Sequence, residues 1–266
     1  MLYSFGGSGD GVSPLASLLD VKGTLYGTTH YGGLGSCSSS GYSGCGTVFA
    51  ITSSGKESVL YSFKGGSGDG EYPTAGLINV GGKLYGTTLS GGPFCSKRLQ
   101  PGCGTVFSVT PSGKETVLYT FKGHPGDGNG PAALVNVNGT LYGTTYRGGA
   151  TNDGTIFSLT PSGTETVLYS FVGDRRDGAA PLAALVNVDG KLYGTTSHGG
   201  VYDKGTVFSV STSGNEKVLH SFGGSGDGGL PMAALIDVNG TLYGTTSAGG
   251  HGCHSLGCGT VFSLTP

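Results

Sequence analysis

Charge is scarce in this chain. Only 11% of its 266 residues are Asp, Glu, Lys or Arg, and 14 basic residues nearly balance 16 acidic ones. No basic stripe exists to neutralise phosphates, so neither nucleic acid nor an anionic membrane surface is an expected partner. No apolar run reaches the length of a membrane span. No secretory leader opens the sequence, and Met1 stands directly before a repeated strand, which suggests a trimmed mature form. Catalytic signatures are missing too: there is no G-x-S-x-G elbow and no His pair at zinc spacing on a regular element. No cofactor and no metal centre are implied.

What the chain has in quantity is glycine. With 56 Gly and 11 Pro, about 25% of the residues are turn formers. Without a period that fraction would read as low complexity. Here the glycines are periodic, and the segments between them are rich in Val, Leu, Phe, Tyr and Thr, which favour strands. The motif Leu2-Tyr3-Ser4-Phe5 returns at Leu60, Leu118 and Leu168, and as Leu219-His220-Ser221-Phe222. The spacings of 58, 58, 50 and 51 define a unit of about 50 residues, longer in its first copies.

Each unit holds four strand-like runs, here called A to D. In the third unit these are Pro131-AALVNV, Leu141-YGTT, Gly154-TIFSLT and Thr166-VLYSF. The A–B pairs Asn138-Gly139, Asp189-Gly190 and Asn239-Gly240 signal type I′ hairpins, and Ser-Gly pairs mark the C–D turns. Four antiparallel strands repeated in tandem predict an all-β, five-bladed β-propeller. The blades run approximately over 13–63, 73–121, 131–171, 181–222, and 231–266 plus 1–5, as a single domain. The chain starts on a D strand and ends on a C strand, so the N-terminal strand is expected to join the C-terminal blade and close the ring. The invariant Tyr-Gly-Thr-Thr after Tyr26, Tyr85, Tyr142, Tyr193 and Tyr243 fits close packing of inner strands.

The recurring pattern LYGTTxxGG…GTVFSLTPSGxETVLYSF resembles the Gloeo/Verruco (GloVer) tandem-repeat proteins of bacteria over essentially the whole chain. The resemblance implies a secreted or surface-attached protein whose activity is undefined, and it carries over no catalytic residues.

Six cysteines form three close pairs, each in one glycine-rich loop: Cys37/Cys45, Cys95/Cys103 and Cys253/Cys258. Their spacings suit zinc poorly, so three loop-stapling disulfides and an extracellular or cell-surface location are expected. The B–C and D–A loops share one face of the expected propeller. They hold all four arginines, five of six histidines, and the five tyrosines outside the strand framework. From these, Tyr31, Tyr42, Tyr72, Arg98, Tyr146, Arg147, His198 and Tyr202 are the candidate ligand or partner contacts, since such side chains offer flat apolar area with a polar tip. The plain alternative is that surface loops are polar in any protein.

An Asp-Gly recurs in every D–A loop, at Asp10, Asp69, Asp127, Asp177 and Asp227. A ring of carboxylates could hold a hard cation. Identical repetition favours a turn device instead, with Asp accepting from backbone amides. Paired carboxylates for glycoside hydrolysis are poorly placed: Asp20 and Asp237 lie by the A–B turns, and Asp153 and Asp203 in the short B–C loops. His220, in place of the D-strand tyrosine, reads as a packing substitution. The expected role is non-catalytic binding or scaffolding through the loop face, with a protein partner or self-association. A glycan-binding propeller is the alternative, and a glycoside-processing enzyme the weakest reading. Matched loop positions differ (Tyr31, Ser90, Arg147, His198, Ala248), which favours one asymmetric site over repeated lectin pockets.

Overall fold

The computed structural model describes residues 1–7, 9–93, 102–224, 226–250 and 257–266. Among the described residues it is all-β apart from one 3-10 turn at Gly66–Gly68. Among the described residues no helix is long and apolar enough to cross a membrane. The chain divides into two compact units. One comprises Met1–Lys122, Asn129–Gly139 and Pro161–Thr164; the other comprises Gly123–Gly128, Thr140–Thr160 and Glu165–Pro266.

The first unit contains two complete four-stranded antiparallel sheets. Leu19–Val21, Thr24–Thr29, Thr47–Thr52 and Glu57–Ser62 form one, and Ile78–Val80, Lys83–Thr88, Thr105–Val109 and Glu115–Thr120 the other, both in the order A-B-C-D. The second unit contains Thr140–Gly148, Thr155–Leu159 and Glu165–Ser170 of the third repeat. It also holds the four-stranded sheet Val186–Val188, Lys191–Thr196, Thr206–Val210 and Glu216–Ser221, and a last sheet of Ile236–Val238, Thr241–Thr246 and Thr260–Leu264.

Local chemistry explains the repetition. The A–B turns place two consecutive residues at positive φ, as in Asn138 (50°) and Gly139 (87°), the requirement of a type I′ turn. The residue two before each pair caps its turn: the Oδ1 atoms of Asp20, Asn79, Asn136, Asn187 and Asp237 accept from Gly23, Gly82, Gly139, Gly190 and Gly240. Every complete C–D pair slips by one residue at the same place, before Phe49, Phe107, Phe157 and Phe208. Such a bulge re-aims the following side chain, and all four of these rings are buried.

Successive repeats then interlock through aromatic edges. Phe63 meets Phe107 at 5.0 Å in the first unit, and Phe171 meets Phe208 at 5.2 Å in the second, both T-shaped. Burial of each ring stabilises the fold by about 2–3 kcal/mol, and the edge-to-face geometry adds about 1 kcal/mol. The glycine of Tyr-Gly-Thr-Thr makes room for the ring: a Cβ on Gly86 would stand 2.6 Å from Phe107 Cζ. The threonines of that motif also hold the fold. Thr28, Thr87, Thr144 and Thr195 donate to the carbonyls of Ala75, Ala132, Ala183 and Ala233 in the following repeat. Thr29, Thr88, Thr145, Thr196 and Thr246 pair at 2.8 Å with the first threonine of strand C.

The N-terminal segment expected to complete the last sheet is not formed as a strand. Met1–Phe5 forms no strand, and the last sheet has three. Residues 1–5 are held by the first sheet, with Phe5 edge-on to Phe49 at 5.1 Å. In the last sheet Val261 is 79% exposed and Ile236 60%, whereas Val106 and Val207 at the position of Val261 are fully buried.

Candidate functional site

In four repeats a short backbone pairing joins the D–A loop to the B–C loop of the same repeat. Gly11–Val12 pairs with Tyr31–Gly32, Gly70–Glu71 with Ser90–Gly91, Gly178–Ala179 with His198–Gly199, and Gly228–Gly229 with Ala248–Gly249. The variable column Tyr31, Ser90, His198, Ala248 therefore sits on a fixed backbone frame, and only the side chains change from repeat to repeat.

The repeated aspartates hold this frame. Oδ1 of Asp10, Asp69, Asp127, Asp177 and Asp227 accepts from the next glycine amide at 2.6 or 2.7 Å. Oδ2 is also engaged where its partners are seen: by Tyr3 and Gly6 at Asp10, by Tyr61 and Lys64 N at Asp69, and by Val172 N at Asp177. At Asp227 the partner is His220 Nε2 at 2.8 Å. The imidazole thus takes over the tyrosine hydroxyl's hydrogen bond as well as its place in the packing. Burial raises the Asp10 carboxyl, but the amides of Gly6 and Gly11 and the Tyr3 hydroxyl outweigh it and hold it below the usual carboxylate range. Burial wins at Asp177, which is pushed up. With their oxygens occupied by the chain, these carboxylates serve the turns. Among the described residues no group of three or more His, Cys, Asp or Glu could hold a metal ion.

Behind the aspartates lies a second set of carboxyls, at the start of the D strands. One oxygen each of Glu57, Glu115 and Glu216 is buried without a hydrogen-bond partner. Burial, reinforced by the charge of Asp69 and opposed by Lys64, pushes Glu115 up to about 7. Burial and the charge of Asp177, opposed by the Tyr169 hydroxyl, push Glu216 up to about 7.

Three of the candidate tyrosines converge. Tyr42 stacks on Tyr31 at 5.1 Å with planes 17° apart, and Tyr72 meets Tyr31 edge-on at 5.5 Å. His30, outside the candidate set, completes the group, 4.3 Å from Tyr31 and 5.2 Å from Tyr72 between ring centres. Burial holds the His30 imidazole below its usual range, the Pro73 carbonyl opposing. Tyr42 is carried by a two-residue hairpin, Ser38–Ser39 with Tyr42–Ser43, which the Cys37–Cys45 disulfide closes. Tyr72 comes from the next repeat and adopts φ 58°, with its amide on the Cys45 carbonyl. The equivalent left-handed positions hold Ser13, Gly130, Ala180 and Leu230. A bulky side chain there carries backbone strain of about 1–2 kcal/mol. Beside the cluster, a cleft of about 370 Å³ is lined by Ser36, Ser38, Lys64, Glu71 and Tyr72.

The other candidates lie in the second unit. The Arg147 guanidinium covers the Tyr146 ring at 4.9 Å. His198 Nδ1 is 3.0 Å from Ser197 Oγ. Tyr202, 56% exposed, lines a cavity with Asp174, Arg175 and Asp203, and Asp203 accepts from the Gly199 amide. Arg98 lies outside the described residues, as do Cys95 and Cys253. Cys103 and Cys258 are disulfide-bonded.

Comparison with known proteins agrees with this architecture. The chain is similar in structure to virginiamycin B lyase from Staphylococcus aureus, with 11% identity and a TM-score of 0.55, covering 95% of this chain and 70% of that one. A streptogramin B lyase matches at 14% identity and TM-score 0.55, covering 95% and 67%. The computationally designed protein Ika8 matches at 16% and 0.51, covering 99% and 74%. These likenesses identify a β-propeller-like fold and nothing more. No curated protein matches the sequence. The model of the Gloeobacter/Verrucomicrobia repeat matches residues 34–262, so the chain belongs to the Gloeobacter/Verrucomicrobia repeat family.

Proposed function

We propose that this chain is a non-catalytic, extracellular binding or scaffolding module that works through its B–C and D–A loops. One observation carries the reading: the backbone frame of the loops is the same from repeat to repeat, while the side chains on it differ and gather aromatic residues from two successive repeats around Tyr31. A shared frame with divergent side chains is how a scaffold presents a single recognition surface. The repeated aspartates support the non-catalytic part, because their oxygens hold turns and their equivalence suits neither separate acid and base roles nor an asymmetric pocket.

The fold that presents these loops is proposed to be a closed ring of five blades. Leu2–Phe5 has the sequence of a D strand, and the last sheet is the one that lacks its D strand. Joining the two would cover Val261 and satisfy the open edge of Thr260–Leu264.

Light scattering of the non-reduced protein, paired with a glycan panel, tests the functional reading. Self-association abolished by combined Tyr42→Ala, Arg147→Ala and Tyr202→Ala supports it. So does a glycan bound with the same sensitivity and recovered intact. Neither association nor binding, or turnover of a bound glycan, refutes it.

A further inference from the structure

We propose that Tyr42, backed by Tyr31, His30 and Tyr72, is a preformed stacking platform for one pyranose ring of a neutral oligosaccharide. The inference rests on the loop-face reading and narrows it to one site and one ligand class. The argument begins with what the stack leaves open. One face of Tyr42 lies on Tyr31, and the ring is still 49% exposed. An aromatic face left open to water is a surface that a flat, partly apolar ligand can cover, and Tyr72, edge-on to the same stack, lines a cleft.

The surroundings select the ligand. The cleft beside the stack is lined mainly by hydroxyls and backbone, from Ser36, Ser38 and the Gly65–Gly66 turn, with Lys64 and Glu71 as its charged residues. Glu71 is only 5% exposed, and its Oε1 is fixed by the Gly66 amide at 2.7 Å. An aromatic plane for the C–H face of a sugar, beside hydroxyls and one oriented carboxylate for its hydroxyl groups, matches a saccharide. A phosphate would call for more positive charge than one lysine supplies.

The platform is also pre-organised. The Cys37–Cys45 disulfide and the Gly44 amide on the Cys37 carbonyl fix the hairpin beneath Tyr42. His30 and Tyr72, 5.2 Å apart, both pack edge-on against Tyr31 and come from two successive repeats. Little side-chain freedom remains to be lost on binding. Among the described residues the His30–Tyr31 pair is not repeated: its positions hold Leu89 and Ser90 in the second repeat, Tyr146 and Arg147 in the third, Ser197 and His198 in the fourth, and Ser247 and Ala248 in the last.

The test is saturation-transfer NMR on the full, non-reduced chain with cellohexaose, xylohexaose, chitohexaose and maltohexaose, each followed by calorimetric titration. Adenosine serves as a planar non-sugar probe. At least one hexasaccharide is expected to bind, with its ring C–H protons shifted upfield. Tyr42→Ala is expected to weaken binding at least tenfold, while Tyr42→Phe retains it and Lys217→Ala, exposed on a D strand away from these loops, leaves it unchanged. Near-ultraviolet circular dichroism of each variant verifies folding, and Tyr42→Phe keeps the test valid should Tyr42→Ala misfold. Failure of all four sugars to bind overturns the proposal, as does equal binding by the folded Tyr42→Ala protein, or adenosine binding as tightly with the same Tyr42 dependence. Binding that responds to Tyr202→Ala and not to Tyr42→Ala overturns this site and leaves the loop-face reading standing.

Discussion

Replacing Glu115 and Glu216 together by glutamine should stabilise the protein at pH 8 and leave it nearly unchanged at pH 4. Both carboxyls sit near 7 in the folded chain, pushed up by burial and by Asp69 and Asp177 respectively. A carboxyl whose folded pKa exceeds its unfolded one favours the folded state fully below the unfolded value, about 4.5, and this advantage is lost as pH rises through 7. A rise of about 2.5 units corresponds at face value to about 3.4 kcal/mol. Both groups keep part of their surface in water, and screening there reduces this to about 1–2 kcal/mol each. Glutamine keeps the shape and removes the charge, so at pH 8 the double variant should gain about 2–4 kcal/mol, or roughly 5–12 °C in melting temperature for a chain of this size. Asp10, held below its ordinary range, acts oppositely but below pH 4, outside this window. Differential scanning calorimetry at pH 4, 6 and 8 measures the difference between wild type and variant. Melting temperatures that stay a constant distance apart across this range would show that the carboxyls are not perturbed, and would refute the reasoning.

Three further outcomes are expected. Gly86→Ala puts a methyl 2.6 Å from Phe107 Cζ and 2.9 Å from Leu77 Cδ2, so it should destabilise by about 1–3 kcal/mol in urea unfolding; an unchanged midpoint would mean the strands do not pack this closely. Cys37→Ser with Cys45→Ser opens a small loop and should cost about 2.5 kcal/mol by chain entropy, read from the same transition. His220→Tyr restores the hydroxyl that the other D strands offer to the loop aspartate. It should retain stability within about 0.5 kcal/mol, whereas His220→Phe, leaving Asp227 Oδ2 without that donor, should cost about 1–3 kcal/mol.

Much of this fold is legible in the sequence, because its signals are local and repeated. Asn138-Gly139 and its equivalents specify hairpin turns by backbone sterics alone, and the LYSF spacing counts the units. The recurrent Asp-Gly is legible as a turn for the same reason: what every repeat contains, every repeat needs. The bulge before Phe107 is less so, since no residue type demands it; packing of the ring against the neighbouring sheet does. The aromatic cluster shows the limit more clearly. Tyr31 and Tyr42 are near in sequence, but Tyr72 joins them from the following repeat because its left-handed backbone and its amide bond to Cys45 place it there. His30 was hidden by its ordinary loop setting. The three strands of the last sheet are legible in the same way, but its fourth partner is not, because a strand sequence such as that of residues 1–5 does not name the edge on which it lies.

Native-state hydrogen exchange of the amides of Thr260–Leu264, at low and high protein concentration, tests the proposed ring most directly. If Leu2–Phe5 completes the last sheet within one molecule, these amides should exchange as slowly as those of Thr206–Val210, at every concentration. Fast exchange of the outward-facing amides, or protection that grows with concentration, would contradict closure within the chain.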